Sequence, residues 1–214
     1  MTIEFIVLAT TRVGENATVI HTLSREYGRR GFLVSPGRKA SSSMLLPLNI
    51  LEGEVVENRK SELWRLRDLS SRDSLNGIRS NIHKNTMSMF LAEVLFRLLR
   101  EGVFEDGLYE WCVKSILTLD AMDGNFANFH IRWLLELAGA LGFRPGFDDV
   151  APFAGGELSP LKSIMDSSFG EAMLVPLSGR ERVALCEDLV SYLEFHTEQP
   201  VRIRSLSVLR ELYG

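Results

Sequence analysis

Near residue 80 the period of the hydrophobic pattern changes, and that change limits the fold more than any other feature of the chain. Before it, apolar residues come in short runs broken by polar turns. Phe5 to Ala9 is apolar, and Ala17 to Leu23 alternates. Tyr27-Gly28-Arg29-Arg30-Gly31 reads as a turn with glycines at both ends. Phe32-Leu33-Val34 stops at Pro36-Gly37, and Leu48 to Val56 and Leu63 to Leu69 complete the set. Five short strands over this length predict a small closed or partly closed barrel. An OB-fold has five strands and this size. An SH3-like barrel competes with it, and periodicity alone does not separate the two.

From residue 86 the period is helical. Met87, Phe90, Leu91, Val94, Leu95, Leu98 and Leu99 form a stripe that Gly102 ends; Leu108, Trp111, Cys112, Ile116 and Leu119 form a second. Phe126, Phe129, His130, Trp133, Leu134, Leu137 and Leu141 form a third, with Asp123 or Asn125 as N-cap and Gly142 as stop. Residues 143–180 read as irregular, with a short helix after Ser159. Val183, Cys186, Leu189, Val190 and Leu193 mark a long helix, and Leu206, Leu209 and Leu212 a last one. The fold class expected is α+β: an N-terminal five-stranded OB-fold-like β-barrel over residues 1–80, then an all-α helical domain over residues 81–214.

Charge divides the same way. Residues 1–80 hold 12 Lys and Arg against 9 Asp and Glu, and residues 81–214 hold 12 against 19. The first part is therefore net +3 and the second net −7, which predicts two surfaces with different partners. Only two cysteines are present, Cys112 and Cys186, both inside apolar helical patterns, so buried reduced thiols are expected. His21, His83, His130 and His196 are scattered, and no metal-ligand spacing is visible. The opening residues carry Glu4 and no basic stretch, which predicts a strand rather than a signal peptide. No apolar run reaches membrane length.

Catalytic signatures are missing. There is no Gly-x-Ser-x-Gly and no His-Glu-x-x-His. Gly31 to Lys39 has five residues rather than four between its glycines and Arg38 where a phosphate-binding loop has lysine. The carboxylate pairs Asp148-Asp149 and Glu187-Asp188 are sequence neighbours, which point apart on regular structure. His130 lies on an apolar stripe and reads as a core histidine. We therefore expect no enzyme, no catalytic residue, no cofactor and no metal.

The basic positions of the first 80 residues carry more. Arg29 and Arg30 fall in the predicted turn, and Arg38 and Lys39 open the loop that runs through Ser41, Ser42 and Ser43. Arg59 and Lys60 lie in another connection. Arg65 and Arg67 alternate along one strand and so share a face, as a phosphate backbone requires. Serine hydroxyls beside them suit phosphate oxygens. Glu52, Glu54, Glu57 and Glu62 lie on the same barrel and oppose this.

The order of these features resembles the bacterial RecO family of DNA repair proteins. The resemblance is carried by Val7-Leu8-Ala9-Thr10-Thr11, Gly14-Glu15-Asn16 and Thr22 to Gly28, then by the Gly37-Arg38-Lys39 loop. Glu93, Phe126 to Leu135, Leu141-Gly142-Phe143-Arg144-Pro145 and Ile203 to Leu209 continue it. It implies a recombination mediator that binds single- and double-stranded DNA and anneals complementary strands. Such a mediator helps load the RecA recombinase on DNA coated with single-strand-binding protein. It also implies a RecR-like partner, the acidic tail of single-strand-binding protein as a second partner, no membrane, and a cytoplasmic, nucleoid-associated location. The DNA-binding residues expected are Arg29, Arg30, Arg38, Lys39, Arg65 and Arg67. For the acidic tail the resemblance points to Arg132, beside Phe129 and Trp133 on one helix; an ion pair with Glu136 one turn away is the plainer role for the same arginine. Two departures stand out. Many members carry four cysteines after the Leu-Gly-Phe segment, and residues 147–156 hold none. Serines also occupy 41–43, where further positive charge is common. The alternative is a helical protein–protein adaptor whose barrel no longer binds DNA.

Overall fold

The computed structural model describes residues 1–14, 17–34, 41–58, 61, 63–143, 145–156 and 158–213. Arg38, Lys39, Arg59, Lys60, Glu62 and Arg144 lie outside the described residues, as do Glu15 and Asn16.

Five strands form the first part: β1 (Thr2–Val13), β2 (Ala17–Ser24), β3 (Gly28–Val34), β4 (Ile50–Val56) and β5 (Trp64–Ser71). They close in the order β1-β2-β3-β5-β4. All pairings are antiparallel except β3 with β5, where Phe32 lies beside Trp64 and Leu33 beside Arg65. This is an OB-like barrel. Its interior holds Ile3, Phe5, Val7, Ile20, Phe32, Val34, Leu51, Val55, Leu66 and Leu69.

The expected turn at Tyr27–Gly31 is a correction. The β2–β3 ladder runs back to Ser24↔Gly28, so Arg29 and Arg30 belong to β3 and the turn is Arg25-Glu26-Tyr27. Gly28 closes that three-residue turn at φ +58, the left-handed position such hairpins need. A side chain there would also strike the carbonyl of Val103. Gly31 is an ordinary strand residue whose N–H donates to Glu101 Oε1 at 2.9 Å.

The second part contains α1 (Asn76–Arg79), α2 (Ile82–Leu98), α3 (Leu108–Ala121), α4 (Phe129–Ala140), α5 (Phe147–Val150), a 3₁₀ turn (Ala151–Phe153), α6 (Leu158–Asp166), α7 (Phe169–Leu174), α8 (Gly179–Thr197) and α9 (Ser205–Tyr213). The stripes on α2, α3 and α4 are the buried faces expected of them. The N-cap position of α4 is Asn128, not Asp123 or Asn125; Asn125 has φ 55 in the turn before it. Residues 143–180 are more helical than their composition predicts. Pro160 sits in the first turn of α6, where no N–H is needed, and a reciprocal Ser168–Glu171 capping box starts α7.

β1 is apolar at every position from Phe5 to Leu8 because both of its faces are covered. Ile6 and Leu8 face outward and join Leu23, Leu48, Ile50 and the α2 stripe in one large core. The barrel wall and the helical body thus share apolar packing. Polar contacts reinforce the junction. Arg79 donates to Pro47 O and Asn49 Oδ1, both at 2.6 Å, and to Asn85 Oδ1 at 2.8 Å. Asn49 Nδ2 in turn holds the carbonyls of Ser43 and Met44 at 2.9 Å. Glu93 accepts from the N–H groups of Arg204 and Ser205 and from the Ser205 hydroxyl, fixing the start of α9 on α2. No helix among the described residues is long and apolar enough to cross a membrane.

Candidate nucleic-acid interface

Strand alternation decides what each basic residue can reach. Arg29 points outward from β3 into the helical body. Its guanidinium lies over the Phe96 ring, 4.5 Å from the centroid, and donates to Leu99 O at 3.1 Å. Burial lowers its pKa, with Arg97 nearby acting in the same direction and Glu101 against it. His21 packs on the same Phe96 ring. The outer side of β1, β2 and β3 therefore meets α2 and the segment after it. In OB-folds generally the face of strands 2 and 3 takes the ligand; here much of that face is packed against protein.

Arg30 has the opposite orientation, toward the end of the barrel. Its guanidinium carbon is 3.8 Å from the centroid of Trp64. Tyr27 meets Trp64 edge-on at 5.6 Å. Arg65 and Arg67 are exposed on the outer side of β5, with Leu66 buried between them. Their neighbours on β4 are Val56 and Glu54. Of the six expected DNA-binding residues, Arg30, Arg65 and Arg67 thus gather on and beside β5, Arg29 is taken up by the junction, and Arg38 and Lys39 fall outside the described residues. Asn49 links Ser43, four residues after Lys39 in the sequence, to Arg79. Arg12, exposed near the tip of the β1–β2 hairpin, is a further cation that the sequence reading passed over.

A groove of about 350 Å³ lies between α3 and α4, lined by Trp111, Lys114, Phe129, Trp133, Glu136 and Phe169. Phe129 and Trp133 are buried and form its floor. Trp111 packs on Trp133 with centroids 5.3 Å apart and the rings tilted by 35°. Lys114 is exposed at the rim. Arg132 pairs with Glu136 at 3.0 Å and donates to the carbonyls of Ile164 and Ser167, at and just beyond the end of α6. A guanidinium there satisfies end-of-helix acceptors and opposes the negative end of the helix dipole. Its visible role is to fasten α6 to α4. The sequence predicts a short helix after Ser159 but not that its last carbonyls meet Arg132, 32 and 35 residues away.

Burial lowers the pKa of His130 to about 3, with Arg182 adding to the effect, so the ring is neutral across the physiological range. Burial raises both cysteine thiols. Among the described residues, no three His, Cys, Asp or Glu side chains are grouped to hold a metal ion.

Comparison with known proteins gives two adjoining matches. Residues 1–75 match the family described as Recombination protein O N terminal, and residues 79–151 match Recombination protein O C terminal. The chain is 28% identical over 234 aligned positions to the DNA repair protein RecO of Phocaeicola vulgatus, covering 98% of this chain and 97% of that one. Against the protein of the same name from Porphyromonas gingivalis the identity is 29%, with 97% of each chain covered. For Bacteroides fragilis it is 26%, again with 97% of each covered.

Proposed function

The chain belongs to the RecO family, and from that premise we propose that it is a recombination mediator in DNA repair that acts by binding alone. Residues 1–80 hold single- and double-stranded DNA through phosphate contacts, and residues 81–214 recruit protein partners. Holding two strands on one molecule, or on neighbouring ones, raises their local concentration, so annealing needs no active site. On DNA coated with single-strand-binding protein, the same contacts open room for the RecA recombinase, with a RecR-like protein as partner. The acidic tail of single-strand-binding protein occupies the groove over Phe129 and Trp133. Lys114 meets its charge at the rim, and Arg132 holds the α6 side. The work is done in the cytoplasm, at the nucleoid.

The observation that carries this reading is the pair Arg65 and Arg67, exposed side by side on a barrel wall outside the junction with α2. If about four phosphates of a single strand are neutralised, log K against log salt falls with a slope near −3, a loss of about 50-fold between about 50 and 200 mM. Arg65→Glu with Arg67→Glu should weaken binding to all sequences alike and flatten that slope by more than one unit. Arg38→Glu with Lys39→Glu tests the loop in the same way. Undiminished affinity in both double variants at matched salt refutes the assignment. Failure of the wild type to bind DNA at low salt would leave the chain a helical adaptor.

A further inference from the structure

We propose that Trp64, with Arg30 and Tyr27, forms a seat for one unpaired nucleobase at the end of the barrel. This deepens, and rests on, DNA binding by the barrel. It adds a preference for single strands that phosphate contacts alone do not supply.

Trp64 opens β5 beside Phe32, and it packs with Tyr27, Met44 and Leu45 on the barrel's internal core. Its side chain is only partly buried. The next residue, Arg65, projects to the outer wall, as does Arg67. One strand therefore presents an aromatic ring at the barrel's end and two cations on its side. Bases stacking on aromatic rings beside a backbone that tracks positive charge is the general layout of single-strand recognition.

The Arg30 guanidinium lies over the indole, its carbon 3.8 Å from the ring centroid. Tyr27 meets the indole at an interplanar angle of 88°, with centroids 5.6 Å apart. A cation–π contact at a partly exposed site is weaker than a base–aromatic stack. A base stacked on the indole sits beside Arg30, whose charge serves the flanking phosphate. In a duplex each base face is already covered by its neighbours, so only an unpaired base can make that stack.

The test compares an oligothymidylate with an abasic phosphodiester chain of equal length and charge, at one low salt concentration. Wild type should favour the thymidylate. Trp64→Leu should lose about 5- to 150-fold on the thymidylate and little on the abasic chain. Trp64→Phe should retain most of the preference. Arg30→Gln should keep the preference and flatten the salt slope by about 0.7. A Trp64→Leu protein that still favours thymidylate as strongly as wild type overturns the proposal. Should that variant not fold, wild type cross-linked to a bromodeoxyuridine strand decides: adducts on Trp64 or Tyr27 support the seat, and adducts only elsewhere overturn it. If wild type binds neither chain, DNA binding by the barrel fails and the seat with it. If it binds both equally, the seat alone fails.

Discussion

Arg79→Ala should destabilise the protein far more than loss of one surface cation would. The guanidinium lies between the two parts of the chain, and its five hydrogen bonds end on Pro47 O, Asn49 Oδ1 (from two nitrogens), Asn85 Oδ1 and Ser88 Oγ. Ser88 still donates to Asn85 O without it, and Asn85 is partly exposed. Pro47 is partly exposed too, so the damage falls chiefly on the buried Asn49. One buried acceptor stranded sets the cost at about 1–3 kcal/mol. The middle of that range, about 2 kcal/mol, lowers Tm by about 4–8 °C for a chain of this size. Arg79→Lys keeps the charge but cannot span the fork, so it should fall between the two. Thermal unfolding at neutral pH, repeated by urea titration, measures both. A Tm within about 2 °C of wild type for Arg79→Ala would mean that these acceptors find other donors and that the clamp argument is wrong. A second reading follows from Asn49, which holds Ser43 and Met44. Arg79→Ala should also weaken DNA binding through the loop containing Arg38 and Lys39, at a temperature where the variant is still folded.

Other expectations are briefer. Arg132→Ala strips a charged donor from the end of α6 and should cost about 1.5–3 kcal/mol, seen as a lower Tm; an unchanged Tm would show that α6 does not depend on it. His130 is held neutral with a pKa of about 3, against 6.5 in the open chain. As pH falls below 6.5 the unfolded state gains a proton that the native state refuses, so stability is full above 6.5 and declines below it. The loss from this residue is about 2 kcal/mol between pH 6.5 and 5. His130→Gln should flatten that decline in urea titrations, and an identical acid slope would refute the account. Purified protein should carry no stoichiometric zinc, and a chelator should leave its Tm unmoved; metal recovered one-to-one would refute this.

Much of the fold was legible because period reports burial. The stripe from Met87 to Leu98 gave α2 and its buried face, and the alternation of Arg65, Leu66 and Arg67 gave β5 and its two sides. What stayed hidden depended on partners distant in sequence. Arg29 and Arg30 look alike as an adjacent basic pair. Once Gly28 ends the turn, strand geometry sends one against Phe96 and the other over Trp64. The short helix expected after Ser159 is α6, and a proline costs nothing in a helix's first turn. Periodicity does not report that the last carbonyls of this helix meet Arg132, so only its pairing with Glu136 was legible. The one cue to Trp64 was a large aromatic directly before alternating arginines.

The core shared between barrel wall and helices matters while the chain is being made. Translation delivers the barrel first, with Ile6, Leu8, Leu23 and Ile50 turned outward. Their cover includes α2, and the 27 residues from Arg72 to Leu98 that complete it take about 1–5 s to follow at ordinary elongation rates. Through that interval the nascent protein carries a bare greasy flank on an otherwise finished barrel. It should be a client for chaperones that wait at the ribosome. A message cut short after β5 would yield a sticky fragment rather than a smaller working module.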